Sequence, residues 1–195
     1  LVRAGIVPAG LALSVNATSG YSGGGKAMIA AFEDAQAPDA TDTAFRIYAL
    51  NLGHKHVPEM QTHAGLARPP VFMPAVARSY RGMLVEVPLH LHQLNGSVPD
   101  IRAALIDAYA GSAVVHVNPS DNKLLTLEHC AGTDRLELFA FADEASGHVR
   151  LVAAGEAVPP SADGTLDLAV TVRAVEHLGH ETHLVGDRDG SLVTA

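Results

Sequence analysis

The sequence predicts an α+β domain followed by a small β-rich tail, and three observations predict it. Apolar alternation or β-branched enrichment recurs at residues 11–17, 44–50, 71–76, 83–91, 114–117, 136–142 and 149–153. Helical segments separate only some of these strands, so the pattern is mixed rather than a regular βαβ repeat. Beyond residue 153 the texture changes. Residues 154–165 carry prolines, glycines and acidic side chains, which is linker chemistry, and residues 166–172 then alternate strictly. The expected organisation is a domain over 1–153, a linker over 154–165 and a tail over 166–195.

Composition narrows the function classes. A chain of 195 residues that is 48% hydrophobic and 17% charged can bury a real core and is not a disordered polymer. A net charge of −8 is no footprint for nucleic acid or an anionic membrane surface. No apolar run reaches the roughly 18 to 20 residues of a membrane helix. The single cysteine, Cys130, permits no intrachain disulfide framework, and a reducing cytoplasm is the simplest expectation. Residues 1–5 lack signal-peptide order and an initiator Met. They read as the end of a helix already under way, as if cut from something longer.

Taken in order, residues 6–10 form a turn and residues 11–17 a short strand. A glycine loop follows, Ser19-Gly20-Tyr21-Ser22-Gly23-Gly24-Gly25-Lys26, and then a run of strong helix formers to Glu33. Strand, glycine loop and helix together direct backbone N–H groups and a helix N-terminus toward an anion. Residues 34–43 read as a loop. The strand at 44–50 delivers Gly53-His54-Lys55-His56, and Pro58 with Glu59 opens a helix that runs to about Gly65. Pro74 and Pro88 argue against central strands at 71–76 and 83–91, or mark bulges there. Ser97 caps a helix whose apolar face is read as Ile101, Leu105, Ile106 and Tyr109, with Gly111 as the stop. Gly147 turns the last two strands of the domain, and residues 186–190 read as a hairpin turn in the tail.

Three stretches carry candidate chemistry. Residues 20–26 match a P-loop except that Ala27 stands where a hydroxyl would hold magnesium, so a phosphate-cradling loop of another kind or a plain glycine turn remains. His54 and His56 share a face on an extended segment. They are an acid/base site, the start of a zinc site or a polar loop. For zinc, His63, His90, His92 and His116 are further ligands that no spacing singles out, and no metal is expected. A histidine ahead of a helix N-terminus has its cation disfavoured, which suits a neutral base or proton shuttle. Cys130 beside His129 reads as a small buried hydrophobe rather than a nucleophile.

Several blocks occur in one order: Ser14-Val15-Asn16-Ala17-Thr18-Ser19-Gly20-Tyr21-Ser22-Gly23-Gly24-Gly25-Lys26; Gly53-His54-Lys55-His56-Val57-Pro58-Glu59-Met60; Phe72-Met73-Pro74 leading to Arg81-Gly82-Met83; Val85-Glu86-Val87-Pro88-Leu89; and Ala131-Gly132-Thr133-Asp134-Arg135-Leu136-Glu137-Leu138. In these the chain resembles the N-acetyl-gamma-glutamyl-phosphate reductases of the shorter bacterial type, over about residues 1–153. The resemblance implies a mixed, largely antiparallel sheet with helices on one face, like the glyceraldehyde-phosphate dehydrogenase C-terminal domain. It implies reduction of N-acetylglutamyl 5-phosphate with NADPH to the semialdehyde in arginine biosynthesis, through a cysteine thiolate and a thioester. That cysteine, in an Asn-Pro-Gly-Cys-Tyr-Pro-Thr motif, and the family's Rossmann domain would precede residue 1, so this chain alone is expected to be inactive.

Carried over by motif, His54 is the acid/base, and Tyr48 and His56 help hold the substrate. Lys26 supplies positive charge toward the acyl phosphate, while Ser22 and Gly23 approach the nicotinamide of NADP. The implied partners are the small acyl phosphate and further copies of the chain, with neither nucleic acid nor membrane insertion. The tail departs from the family. Residues 172–183, Val172-Arg173-Ala174-Val175-Glu176-His177-Leu178-Gly179-His180-Glu181-Thr182-His183, resemble instead the TOBE domain of sugar-importing ABC-transporter ATPases. The alternative functions are therefore a ligand-sensing β module in the tail or a non-catalytic remnant domain.

Overall fold

The computed structural model describes residues 1–155 and, as backbone, three strands over residues 171–178, 181–188 and 191–194. The chain divides into two compact units, Leu1–Ala157 and Val158–Ala195. The first unit contains seven strands: β1 (Ser14–Gly20), β2 (Phe45–Ile47), β3 (Val71–Ala77), β4 (Met83–His90), β5 (Val115–Val117), β6 (Leu136–Asp143) and β7 (His148–Gly155). Three helices accompany them: α1 (Gly25–Glu33), α2 (His56–Ala64) and α3 (Val98–Ala108). The strands form one sheet in the order β2-β3-β1-β4-β7-β6-β5. Its pairs are antiparallel except β1 with β3 and β5 with β6. The second unit pairs β8 (Thr171–Leu178), β9 (Glu181–Arg188) and β10 (Ser191–Thr194) as an antiparallel meander. β9 and β10 pair antiparallel from Arg188 with Ser191; of the turn expected at 186–190, residues 186–188 belong to β9 and the others lie outside the described residues. Most of the strand expected at 166–172 lies outside the described residues.

Strand register assigns side chains to two faces, because alternate residues point opposite ways. One face carries Phe72, Val87, Leu89, Ala140, Val149 and Leu151. There Val98 and Ile101 of α3 pack with Ile6, Val7, Leu89, Ala140 and Val149 into the larger core. Arg46 projects to this face and lies over the ring of Phe32 in α1, with its guanidinium carbon 5.1 Å from the centroid. His54, just ahead of α2, rests on Phe72 of the same face. The expected mixed sheet with helices on one face is therefore observed. On the opposite face Cys130, Phe139, Val152 and Ala154 form a smaller core beneath residues 118–135.

Residues 1–5 do close as a helix end: Gly5, at a left-handed φ of 73°, donates to the Val2 carbonyl and Ile6 to that of Leu1, the paired bonds of a Schellman cap. Several other local expectations need correction. β1 starts later and runs to Gly20, because β3 alongside continues the parallel register to Gly20 opposite Ala77 despite the polar Thr18-Ser19 pair. β2 stops at Ile47, and Ala49 then takes a left-handed φ of 52° that ends any extended run. The prolines do sit in interior strands. Pro74 lies one residue past the β2 ladder, and Pro88 lies past the β1 ladder and pairs only with Arg150 of β7. Each thus occupies a strand position with one flank unladdered, where the missing N–H removes no ladder bond.

The buried face of α3 is also narrower than expected. Ser97 and Asp100 form a reciprocal capping box, as Ser97 promised. Val98 and Ile101 are buried and Ala104 and Leu105 pack beside them, whereas Ile106 is 55% and Tyr109 41% exposed. At about 100° per residue, Ile106 lies roughly 140° around the helix from Ile101. Truncation of Ile101 to Ala should cost about 2–5 kcal/mol of unfolding free energy in a denaturant titration. The same change at Ile106 should stay within about 0.5 kcal/mol. Equal losses at both positions would contradict this packing.

Candidate functional site

The loop after β2 builds a compact aromatic group. Tyr48 keeps contact with the sheet by donating its N–H to the Pro74 carbonyl at 3.2 Å. The chain then turns through Ala49 and Leu52, both at positive φ (52° and 61°). Left-handed backbone costs roughly 1–2 kcal/mol for a residue with a side chain, so this loop stores strain. It delivers His54 into contact with three rings: His56 at 4.7 Å, Phe72 at 5.0 Å and Tyr48 at 5.8 Å between centroids. Phe72 is the floor of the group. In the sequence Phe72 stands in a strand and in the Phe72-Met73-Pro74 block, and neither marks it as a support for His54.

The electronics of His54 follow from its surroundings. The backbone N–H of His56 donates to His54 Nδ1 at 3.2 Å, which places the proton of the neutral ring on Nε2. The imidazole is held below its ordinary range, first by burial, then by His56 and Lys55, with Glu59 opposing. This is the direction expected ahead of a helix N-terminus, although burial is the largest cause. Burial also pushes the Tyr48 hydroxyl up, keeping it a neutral donor. His54 and Tyr48 are thus neutral hydrogen-bond donors near neutral pH, suited to giving or relaying a proton.

Ser22, Gly23 and Lys26 lie elsewhere. Ser22 and Gly23 fall in a 3-10 turn over Tyr21–Gly24, and Lys26 is exposed on the first turn of α1, beyond the Gly20 end of β1. His54 rests on Phe72, which pairs with Val15 near the other end of that strand. Five residues of strand separate the two positions by roughly 16 Å. The glycine loop also differs from an anion cradle. The N–H groups of Gly20, Tyr21 and Ser22 donate to the carbonyls of Gly82, Ser79 and Tyr80 at 2.8, 2.9 and 3.0 Å. A Cβ on Gly20 would meet the Ser79 and Tyr80 carbonyl oxygens at 2.7 Å, so glycine there permits backbone packing rather than phosphate approach. Cys130 is buried, and its thiol is pushed up by burial and then by Glu137, the opposite of an activated nucleophile.

The depressed His54 value fixes a sign. A base whose folded pKa lies below its unfolded value adds stability above about pH 6.5, and that contribution is lost as pH falls toward the folded value. In an NMR titration His54 should move below the ordinary imidazole midpoint. Glu59→Gln should lower it further and Lys55→Ala should raise it. A midpoint at or above the ordinary value would contradict the burial described.

Comparison with known proteins accounts for most of the chain. The family model for the semialdehyde dehydrogenase dimerisation domain matches residues 1–156. N-acetyl-gamma-glutamyl-phosphate reductase of Rhizobium meliloti (strain 1021) is 46% identical over 159 residues, covering 78% of this chain and 51% of the relative. The enzyme of the same name from Sinorhizobium medicae (strain WSM419) is 44% identical over 159 residues, with the same two coverages of 78% and 51%. The chain thus spans about half the length of these curated relatives. Among solved structures, aspartate semialdehyde dehydrogenase from Francisella tularensis superposes with a TM-score of 0.53 at 14% identity, covering 80% of this chain and 55% of that one, which supports the fold alone. With its mixed seven-stranded sheet and a match over residues 1–156, the chain belongs to the semialdehyde dehydrogenase dimerisation-domain family.

Proposed function

We propose that residues 1–156 work as the catalytic and dimerisation half of an N-acetyl-gamma-glutamyl-phosphate reductase, reducing N-acetylglutamyl 5-phosphate to the semialdehyde in arginine biosynthesis. The observation that carries this reading is the convergence of His54, His56 and Tyr48 on Phe72, on a strained loop that holds His54 neutral. The names of the relatives supply the reaction class. The nucleophilic cysteine and most of the dinucleotide site come from a part of the reductase outside these residues, so the chain alone is inactive.

In this reading His54 presents Nε2–H to the carbonyl oxygen of the acyl group and stabilises the charge that develops there. Taking the thiol proton requires the ring to release its Nδ1 bond from His56 N–H, or to exchange tautomers between the two steps. Tyr48 and His56, on either side of His54, orient the substrate. NADPH, when bound, supplies the hydride. Gly23 is open to a ligand, since a Cβ there would meet nothing within 4 Å, but it and Ser22 lie at the far end of β1 from His54 and so meet a part of the dinucleotide away from the reacting nicotinamide ring. Lys26 attracts the acyl phosphate at long range rather than touching the reacting carbon. Self-association uses the helix-free face of the sheet. Phe45, Ile47, Val71 and Met73 share that face by register and are 53%, 61%, 45% and 44% exposed. β7 takes in Ala154 and Gly155, the first two residues of the expected linker, and the rest of it lies outside the described residues; the division of the chain at Ala157 and Val158 supports reading the tail as a separate module. No helix among the described residues is long and apolar enough to cross a membrane.

Joining this chain to the preceding segment of the Rhizobium meliloti relative should restore phosphate-dependent oxidation of the semialdehyde with NADP. His54→Asn should then reduce kcat by about 10²–10⁴-fold. A folded chimera without turnover would count against the reading. Sedimentation of the present chain should show a dimer that Ile47→Asp with Met73→Asp converts to monomer. A wild-type chain that sediments as a monomer at micromolar concentration would remove the proposed interface.

A further inference from the structure

The long segment between β5 and β6, residues 118–135, joins parallel neighbours without a helix and folds over the helix-free face of the sheet. Such a loop needs anchoring, because its own backbone makes no ladder. Leu125 and Cys130 anchor it by packing on Phe139, Val152 and Ala154. Beside them His129, Cys130 and Glu137 bring one nitrogen, one sulfur and one oxygen within 4.8 Å of one another. His129 Nε2 and Glu137 Oε2 are 3.1 Å apart.

We propose that His129, Cys130 and Glu137 form a binding site for a zinc-class divalent cation that clamps the 118–135 loop to β6. The donor set is that of zinc: imidazole, thiolate and carboxylate. With bonds of about 2.0 Å to nitrogen and oxygen and 2.3 Å to sulfur, a tetrahedral ion separates its ligand atoms by about 3.3–3.6 Å. The His129–Glu137 separation already approaches this value, and the sulfur needs a closing shift of at most about 1.3 Å from the 4.8 Å limit. Charge favours it too, since one thiolate and one carboxylate neutralise a dication at a site where Cys130 is only 3% exposed.

Supporting groups hold the ligands in place. Asn118 Nδ2 donates to Glu137 Oε2 at 2.8 Å, and Asn118 Oδ1 is itself fixed by the Ser120 N–H at 2.9 Å. Thr133 pins the Cys130 turn from its hydroxyl, 2.7 Å from the Cys130 carbonyl. The ring of His129 stands edge-on to Phe139, 5.6 Å between centroids. An oriented carboxylate, an oriented ring and a fixed turn are what outer contacts supply to a metal ligand set. On binding, the S–H bond of Cys130 breaks, a sulfur–metal bond forms and one proton passes to solvent; the Nε2–H···Oε2 contact with Glu137 opens, the ring proton moves through solvent to Nδ1, and Nε2 then ligates as the neutral ring.

The test uses the full 195-residue chain, reduced and metal-free, titrated with Co²⁺ and then Zn²⁺. The expected result is a thiolate-to-cobalt charge-transfer band that saturates near one equivalent and is displaced by Zn²⁺. Cys130 is the chain's single cysteine, so the band by itself identifies the ligand without any variant. Zn²⁺ should raise the Tm of the wild type but not of Cys130→Ser, and Asn118→Ala should weaken binding roughly 10–100-fold. Co²⁺ spectra without a sulfur band, or a Zn²⁺-dependent Tm rise equal in wild type and Cys130→Ser, would overturn the proposal and assign the bound metal to surface histidines.

Discussion

The parallel pairing of β1 with β3 governs where everything else in the first unit can lie. Two parallel neighbours cannot be joined by a hairpin, so the chain must cross from the Gly20 end of β1 back to the Val71 end of β3. Ser22, Gly23, Lys26, Tyr48, His54 and His56 all lie in that crossover, which runs through the glycine loop, α1, the short β2, the His54 loop and α2. The crossover leaves from one end of the pair and returns at the other. This is why Ser22, Gly23 and Lys26 sit apart from Tyr48, His54 and His56. The same geometry explains the close seat of Gly20, whose backbone must pass the 79–82 turn at the point where the crossover begins.

Most strands were legible because period-two alternation survives on a sheet with one face covered by helices and the other only in part, by residues 118–135. Two helices were legible from their caps, with Ser97 and Asp100 boxing one and Gly65 ending another at φ 71°, and α1 from its run of strong helix formers. The misses have tertiary causes. Thr18 and Ser19 read as loop because nothing local announces the neighbouring strand that enrols them. Pro74 and Pro88 counted against interior strands because only strand order reveals which flank of each is unladdered. Ile106 joined the expected core because an apolar residue near the right face satisfies periodicity without being buried.

The site was legible in its histidines and opaque in its support. His54 was conspicuous as a charged-neighbour cluster ahead of a helix, but Phe72 and Pro74, which hold its loop, are remote in sequence. The glycine loop is ambiguous for the complementary reason. Its composition matches an anion cradle, yet three of its N–H groups already have carbonyl partners from the β3–β4 turn. Glycine answers two needs that look alike in sequence: approach by a ligand and approach by another stretch of backbone.

The left-handed residues Ala49 and Leu52 set a conflict between rigidity and economy in the loop that carries His54. Glycine at either position would remove the steric penalty and so favour the same backbone path. It would also enlarge the set of paths open to the loop, both unfolded and folded. A side chain at these positions costs energy in the observed shape but excludes many of the alternatives. The loop is thereby kept narrow in conformational space, and the imidazole inherits that narrowness. A substitution that relaxed the backbone would loosen the ring it presents.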